Sequence, residues 1–115
     1  MKDLDKLELS SNEKLAVHEA TGMLKNKFPI KKVILFGSKA RGDSDKESDI
    51  DLLLLTEGQI HWRERQKIIH ELFDLGMDYD VIFSILDIPE EEFYQGMFSS
   101  LPIYDEVIKD GADVL

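Results

Sequence analysis

Two aspartates one residue apart, Asp49 and Asp51, open a run of leucines in the segment LFGSKARGDSDKESDIDLLLL, residues 35–55. Residues two apart on a strand project from the same face, so these carboxylates stand side by side. Like charges held together beside an apolar wall are unfavourable unless a cation lies between them. Magnesium suits the pair: it is hard, prefers oxygen, and takes one or two carboxylates with phosphate oxygens and water. Two such ions, about 3.5–4 Å apart, can hold the attacking and leaving oxygens of an in-line phosphoryl displacement. A third carboxylate from the neighbouring strand would complete the set. Asp80, at the head of DVIFSIL, is the first choice, and Asp78 is the reserve.

The other half of the motif lies upstream. Gly37 and Ser38 follow the apolar segment KKVILF, and ten residues separate Ser38 from Asp49. Glycine lets the backbone come close to a phosphate. A serine opening a helical turn offers its N–H and hydroxyl where the helix field favours an anion. Lys39 and Arg41 are near enough in sequence to add positive charge against a triphosphate. A lone D-x-D arises in many solvated loops. Joined to a strand-terminal Gly-Ser at this distance, and followed by four leucines, it becomes specific.

Competing motifs fail at positions they require. Gly37 to Gly42 has the glycine spacing of a P-loop, but Asp43 of Asp43-Ser44 stands where the phosphate-binding lysine is required. Asp43, Asp45 and Glu47 imitate the start of an EF-hand loop. Ser48 and Leu54 then occupy the positions that need glycine and glutamate. His18, His61 and His70 lie on two separate helical segments with no second ligand nearby, and read as surface or half-buried. Trp62, with Ile69 and Phe73 at helical spacing, reads as core rather than as a platform for stacking bases.

The elements that must position these residues alternate between helix and strand. Ser10 and Glu13 have the spacing of a capping box, and apolar residues recur at helical spacing to Phe28, which predicts a helix over 11–27 ended by Pro29. Lys31 to Phe36 reads as a strand stopped by Gly37, with one helical turn at Ser38–Arg41. Ile50 to Leu55 reads as a strand covered on both faces. Gln59 to Leu75 reads as an amphipathic helix with Trp62, Ile69, Leu72 and Phe73 on its apolar side, closed by Gly76. Asp80 to Leu86 is a third strand. Pro89 and three glutamates start another helix. The tail LPIYDEVIKDGADVL reads as a short helix, a glycine turn and a final short strand. The fold class is therefore α+β, a small mixed sheet with helices packed against it.

The 115 residues suit one domain, 1–115, and a hydrophobic fraction of 43% supports a real core. Twenty-four acidic against 14 basic side chains give a net charge of −10, which argues against DNA or RNA as the main partner. Absence of cysteine excludes disulfides, zinc–thiolate sites and thiol catalysis. A charged N-terminus and the lack of a long apolar run point to a cytoplasmic protein with no membrane segment.

The Gly37-Ser38 and Asp49-x-Asp51 pattern, with an apolar strand on either side, resembles the signature of the nucleotidyltransferase superfamily that includes DNA polymerase β. The short chain resembles in particular the bacterial and archaeal minimal nucleotidyltransferases. The likeness is strongest over residues 31–55, moderate at Asp80 and weak in KDGADVL. It implies a polymerase β palm-like fold, two magnesium ions on Asp49, Asp51 and Asp80, and a triphosphate, ATP or another NTP, against Gly37 and Ser38. It further implies a small helical HEPN-type partner protein, in some relatives a toxin whose tyrosine receives AMP. The chain is too short for a separate acceptor domain, so a partner or self-association is expected to supply the acceptor. A non-catalytic antitoxin module is the alternative. A glycosyltransferase using Asp-x-Asp normally needs a much longer chain.

Overall fold

In the computed structural model, which describes residues 1–43, 45, 48–114, the chain folds around one five-stranded sheet of order β1-β5-β2-β3-β4. Ser44 and Glu47, which entered the rejected loop motifs, lie outside the described residues. The strands are β1 (Lys2–Asp3), β2 (Ile30–Phe36), β3 (Ile50–Thr56), β4 (Phe83–Pro89) and β5 (Ala112–Val114). β2 runs antiparallel to both β3 and β5, whereas β3–β4 and β1–β5 are parallel pairs. The mixed sheet expected from sequence is present.

The first helix, α1 (Ser11–Lys27), carries the expected capping box: Glu13 N–H donates to Ser10 Oγ at 3.0 Å, and Ser10 N–H to Glu13 Oε1 at 2.9 Å. The single turn α2 is Ser38–Arg41, and the long helix α3 is Trp62–Tyr79. Two further helices, α4 (Glu90–Gln95) and α5 (Pro102–Asp110), follow β4, with a 3₁₀ turn, Met97–Ser100, between them. Among the described residues no helix is long and apolar enough to cross a membrane.

The pleat divides the buried leucines of β3 between two cores. Leu52 and Leu54 face α1 and α3, packing with Val17, Leu24, Ile68 and Leu72. Leu53 and Leu55 face the other side, where Ile34, Ile88, Phe93 and Val107 close the second core under α4 and α5. A strand covered on both faces must be apolar at every position, which is why β3 reads LLLL. Asp51 shares the parity of Leu53, so its carboxylate projects from the face that α4 and α5 cover farther along.

Two expectations about α3 fail. The helix does not stop at Gly76 but continues to Tyr79, and Asp80 takes the C-cap in left-handed conformation with φ 56°. Gly76 is needed for another reason: a Cβ there would collide with the Val81 carbonyl as the chain turns back into β4. The apolar side is also divided differently. Ile68 and Leu72 are buried, but Trp62, Ile69 and Phe73 are exposed, so Trp62 is not core.

Candidate active site

The end of β2, the turn Gly37-Ser38 and the start of β3 meet at one place because β2 and β3 are antiparallel neighbours. Phe36 pairs with Asp51, which brings the residue after Phe36 against the Asp51 side chain. That residue is Gly37, at φ 74° and ψ −157°, a conformation almost confined to glycine. A Cβ added there would stand 3.1 Å from Asp51 Cγ and overlap its Oδ2. Gly37 is thus required twice, for its backbone conformation and for the space that Asp51 occupies.

Asp49 and Asp51 come together as the period of the strand demands. Asp51 is half-buried and Asp49 exposed. Burial pushes the Asp51 carboxyl above its ordinary range, the Asp49 charge adds to that rise, and Arg41 partly offsets it. Arg41 therefore lies within electrostatic reach of the pair. It is exposed at the end of α2, and its Nε donates to Asp43 Oδ2 at 3.2 Å. Two oxygen-bearing side chains on one face, open to solvent and repelling each other, fit magnesium completed by phosphate and water.

Three sequence expectations need correction. Asp80 does not head the third strand: it is an exposed helix cap, and β4 begins at Phe83. Across from Asp51 stands Ser84, and among the described residues no three acidic or histidine side chains gather as a metal site. The set assembled here is two carboxylates. Lys39 is no phosphate ligand, for its side chain is only 4% exposed and its ammonium lies 2.6 Å from Glu13 and 3.0 Å from the Asp45 carbonyl. It fastens α2 to α1. The order of polar residues in SKAR gives no sign of which cation turns inward. Ser84 was missed because only the β3–β4 register reveals it.

Asp80 nevertheless stays at the correct end of the sheet. The Ile50 N–H donates to the Ile82 carbonyl at 2.8 Å, so the chain following Asp80 runs directly beside the aspartates. A groove of about 560 Å³ is lined by Arg41 with Lys2, Lys6, Ala40 and Gly42 among others.

The model of the family described as polymerase beta, nucleotidyltransferase, matches residues 18–107. The chain belongs to that family. Three candidate protein adenylyltransferases of Methanocaldococcus jannaschii also match, among them MJ0141, 45% identical over 62 residues. That alignment spans 54% of this chain and 61% of the relative, less than two thirds of its length. A solved structure of a candidate minimal nucleotidyltransferase superposes with a TM-score of 0.59 at 24% identity, covering 90% of this chain and 96% of the other. A structure of a tri-AMPylated Shewanella oneidensis HEPN toxin in complex with an MNT antitoxin matches with a TM-score of 0.56 at 17% identity, covering 90% and 71%. These structural likenesses establish the nucleotidyltransferase fold.

Proposed function

We propose that this polymerase beta-family chain is a magnesium-dependent, cytoplasmic adenylyltransferase that moves AMP from ATP to a hydroxyl of a small helical partner protein, as an antitoxin. One observation carries the reading. A turn that almost only glycine can make brings the backbone against Asp51, beside Asp49, so main chain open to a phosphate's approach and carboxylates of a kind that could hold a cation share one corner. The adenylyltransferase names of the relatives and the AMP-bearing toxin complex support the choice of nucleotide and acceptor.

In this reading Asp49 and Asp51 hold magnesium, which when bound neutralises the triphosphate. Gly37 and Ser38 present the turn to the phosphates, and Arg41 supplies the cation beside them. The acceptor oxygen bonds to the α-phosphorus, the bond to the bridging oxygen breaks, and pyrophosphate leaves. Asp80, at the same end of the sheet, is a carboxylate left to take the hydroxyl proton.

A second reading, a binding module that neutralises its partner without transfer, is favoured by the failure of Asp80 to join the aspartate pair. One experiment separates the two. The chain is incubated with labelled ATP, magnesium and a HEPN-type protein encoded beside it, and every protein is weighed intact. Addition of AMP units that requires Asp49 and Asp51 supports transfer. A tight complex whose masses never change sinks it.

A further inference from the structure

α3 buries Ile68, Leu72 and Gly76 and leaves a second apolar stripe uncovered. Trp62 (60% exposed), Ile69 (43%), Phe73 (64%) and Met77 (70%) recur at i, i+7, i+11 and i+15, on one side of the helix. Ile82, between α3 and β4, is also 65% exposed. α1 covers the opposite flank, through Lys27 with Glu71 and Glu19 with Tyr79. Trp62, at the start of the stripe, also lines a pocket with Lys27 and Phe28 at the end of α1, whereas the rest of the stripe looks away from α1, towards β4, the last strand of the sheet among the described residues. Five side chains so exposed present on the order of 500 Å² of apolar surface, as large as the largest patch on an ordinary monomer.

The charges of α3 run against its own dipole. Its last turn has no basic residue, and its second half holds Glu71, Asp74 and Asp78, where the helix field favours cations. Its first half carries Arg63, Arg65 and Lys67 against one acid, Glu64. Arg65 is used internally, 2.6 Å from Asp87 of β4, whereas Arg63 lies over the Trp62 ring on the rim of the stripe. A second helix of the same sequence laid antiparallel reverses this order and corrects both ends. Centred at Ile69–His70, that pairing sets Trp62 against Met77, with Arg63 two residues from the level of Asp78 and Lys67 two residues from the level of Asp74, twice over by symmetry.

We propose that the exposed face of α3, with the open edge of β4, is the interface for a second copy of this chain, the two α3 helices packing antiparallel. The apolar stripe and the adjoining edge approach the ~800 Å² per partner of a standard interface. The net charge of −10 opposes association at long range, but physiological salt screens it beyond about 8 Å, so the local order of charges decides.

Sedimentation equilibrium on the isolated full chain, from micromolar concentration upward, tests the proposal. The mass should approach twice the 13.2 kDa of one chain, and emission of the single tryptophan should shift to the blue as the dimer forms. Phe73→Asp, at an exposed position that leaves the fold intact by circular dichroism, should weaken association by about a hundredfold. The pairs Arg63→Asp with Lys67→Asp, and Asp74→Lys with Asp78→Lys, should each give monomers that form a heterodimer when mixed. A wild-type chain monomeric throughout, a Phe73→Asp variant that still dimerises, or charge variants that fail to pair would each overturn it.

Discussion

At the scale of single residues, the decisive contact is that of Gly37 with Asp51. Gly37→Ala forces a Cβ onto a carboxylate oxygen and a side chain into a backbone region reserved for glycine. The expected cost is roughly 1–3 kcal/mol of stability, together with loss of nucleotide affinity far beyond that fraction. Thermal melts beside isothermal titration with ATP check it, and unchanged affinity would reduce Gly37 to a turn former. The aspartates should separate by position. Asp49→Asn and Asp51→Asn should each abolish AMP transfer, while Asp51→Asn raises the melting temperature in chelator because a half-buried like-charge contact is removed. Asp80→Asn, at an exposed helix cap, should lower turnover by a smaller factor than either. Equal loss in all three variants would show that Asp80 joins the pair. The aspartate pair and Gly37 were legible in the sequence because strand parity and backbone sterics are local. The place of Asp80 was not, since whether Asp-Val-Ile begins a strand or ends a helix depends on where the Gly76 turn packs.

Among the elements, the smallest one depends most on its neighbours. A four-residue helix cannot stand by its own hydrogen bonds, and α2 is held to α1 by Lys39 and Glu13. Glu13→Gln keeps the capping-box geometry but leaves the Lys39 ammonium buried without a counter-charge, so about 2–3 kcal/mol should be lost at neutral pH. Burial alone would raise the Glu13 pKa. Hydrogen bonds from Lys39 and Ser10, with the Lys39 charge, outweigh it and hold the carboxyl below its ordinary range. A depressed folded value gives stability that is present above the unfolded pKa and lost as pH falls through the folded one. The gap between wild type and Glu13→Gln in urea melts should therefore narrow on acidification, and a constant gap would refute the linkage. Elements such as α1 and β3 were read nearly to the residue because cap, period and burial agree. The reading of α3 went wrong in its apolar side: periodicity marks two apolar stripes and cannot say which one meets the sheet.

For the whole molecule, the arrangement follows from one sheet with unequal faces. α1 and α3 cover one face; α4 and α5 cover only part of the other, leaving the start of β3 open where the aspartates stand. Sequence could supply strands and helices but not the parallel pairing of β3 with β4, nor the two-residue β1 beside β5, because both depend on contacts distant in the chain. Charge acts at this same scale. With a net charge of −10, the molecule should repel polynucleotides and attract basic protein surfaces. A labelled single-stranded oligonucleotide should therefore show no anisotropy change at physiological salt, with or without magnesium. The association rate with the proposed helical partner should fall at least about tenfold between low and physiological salt, while dissociation changes little, because steering acts on encounter. Stopped-flow measurements across a salt series decide the matter. A rate indifferent to salt would mean that the acidic surface serves solubility alone, and tight oligonucleotide binding would transfer the acceptor role from protein to nucleic acid.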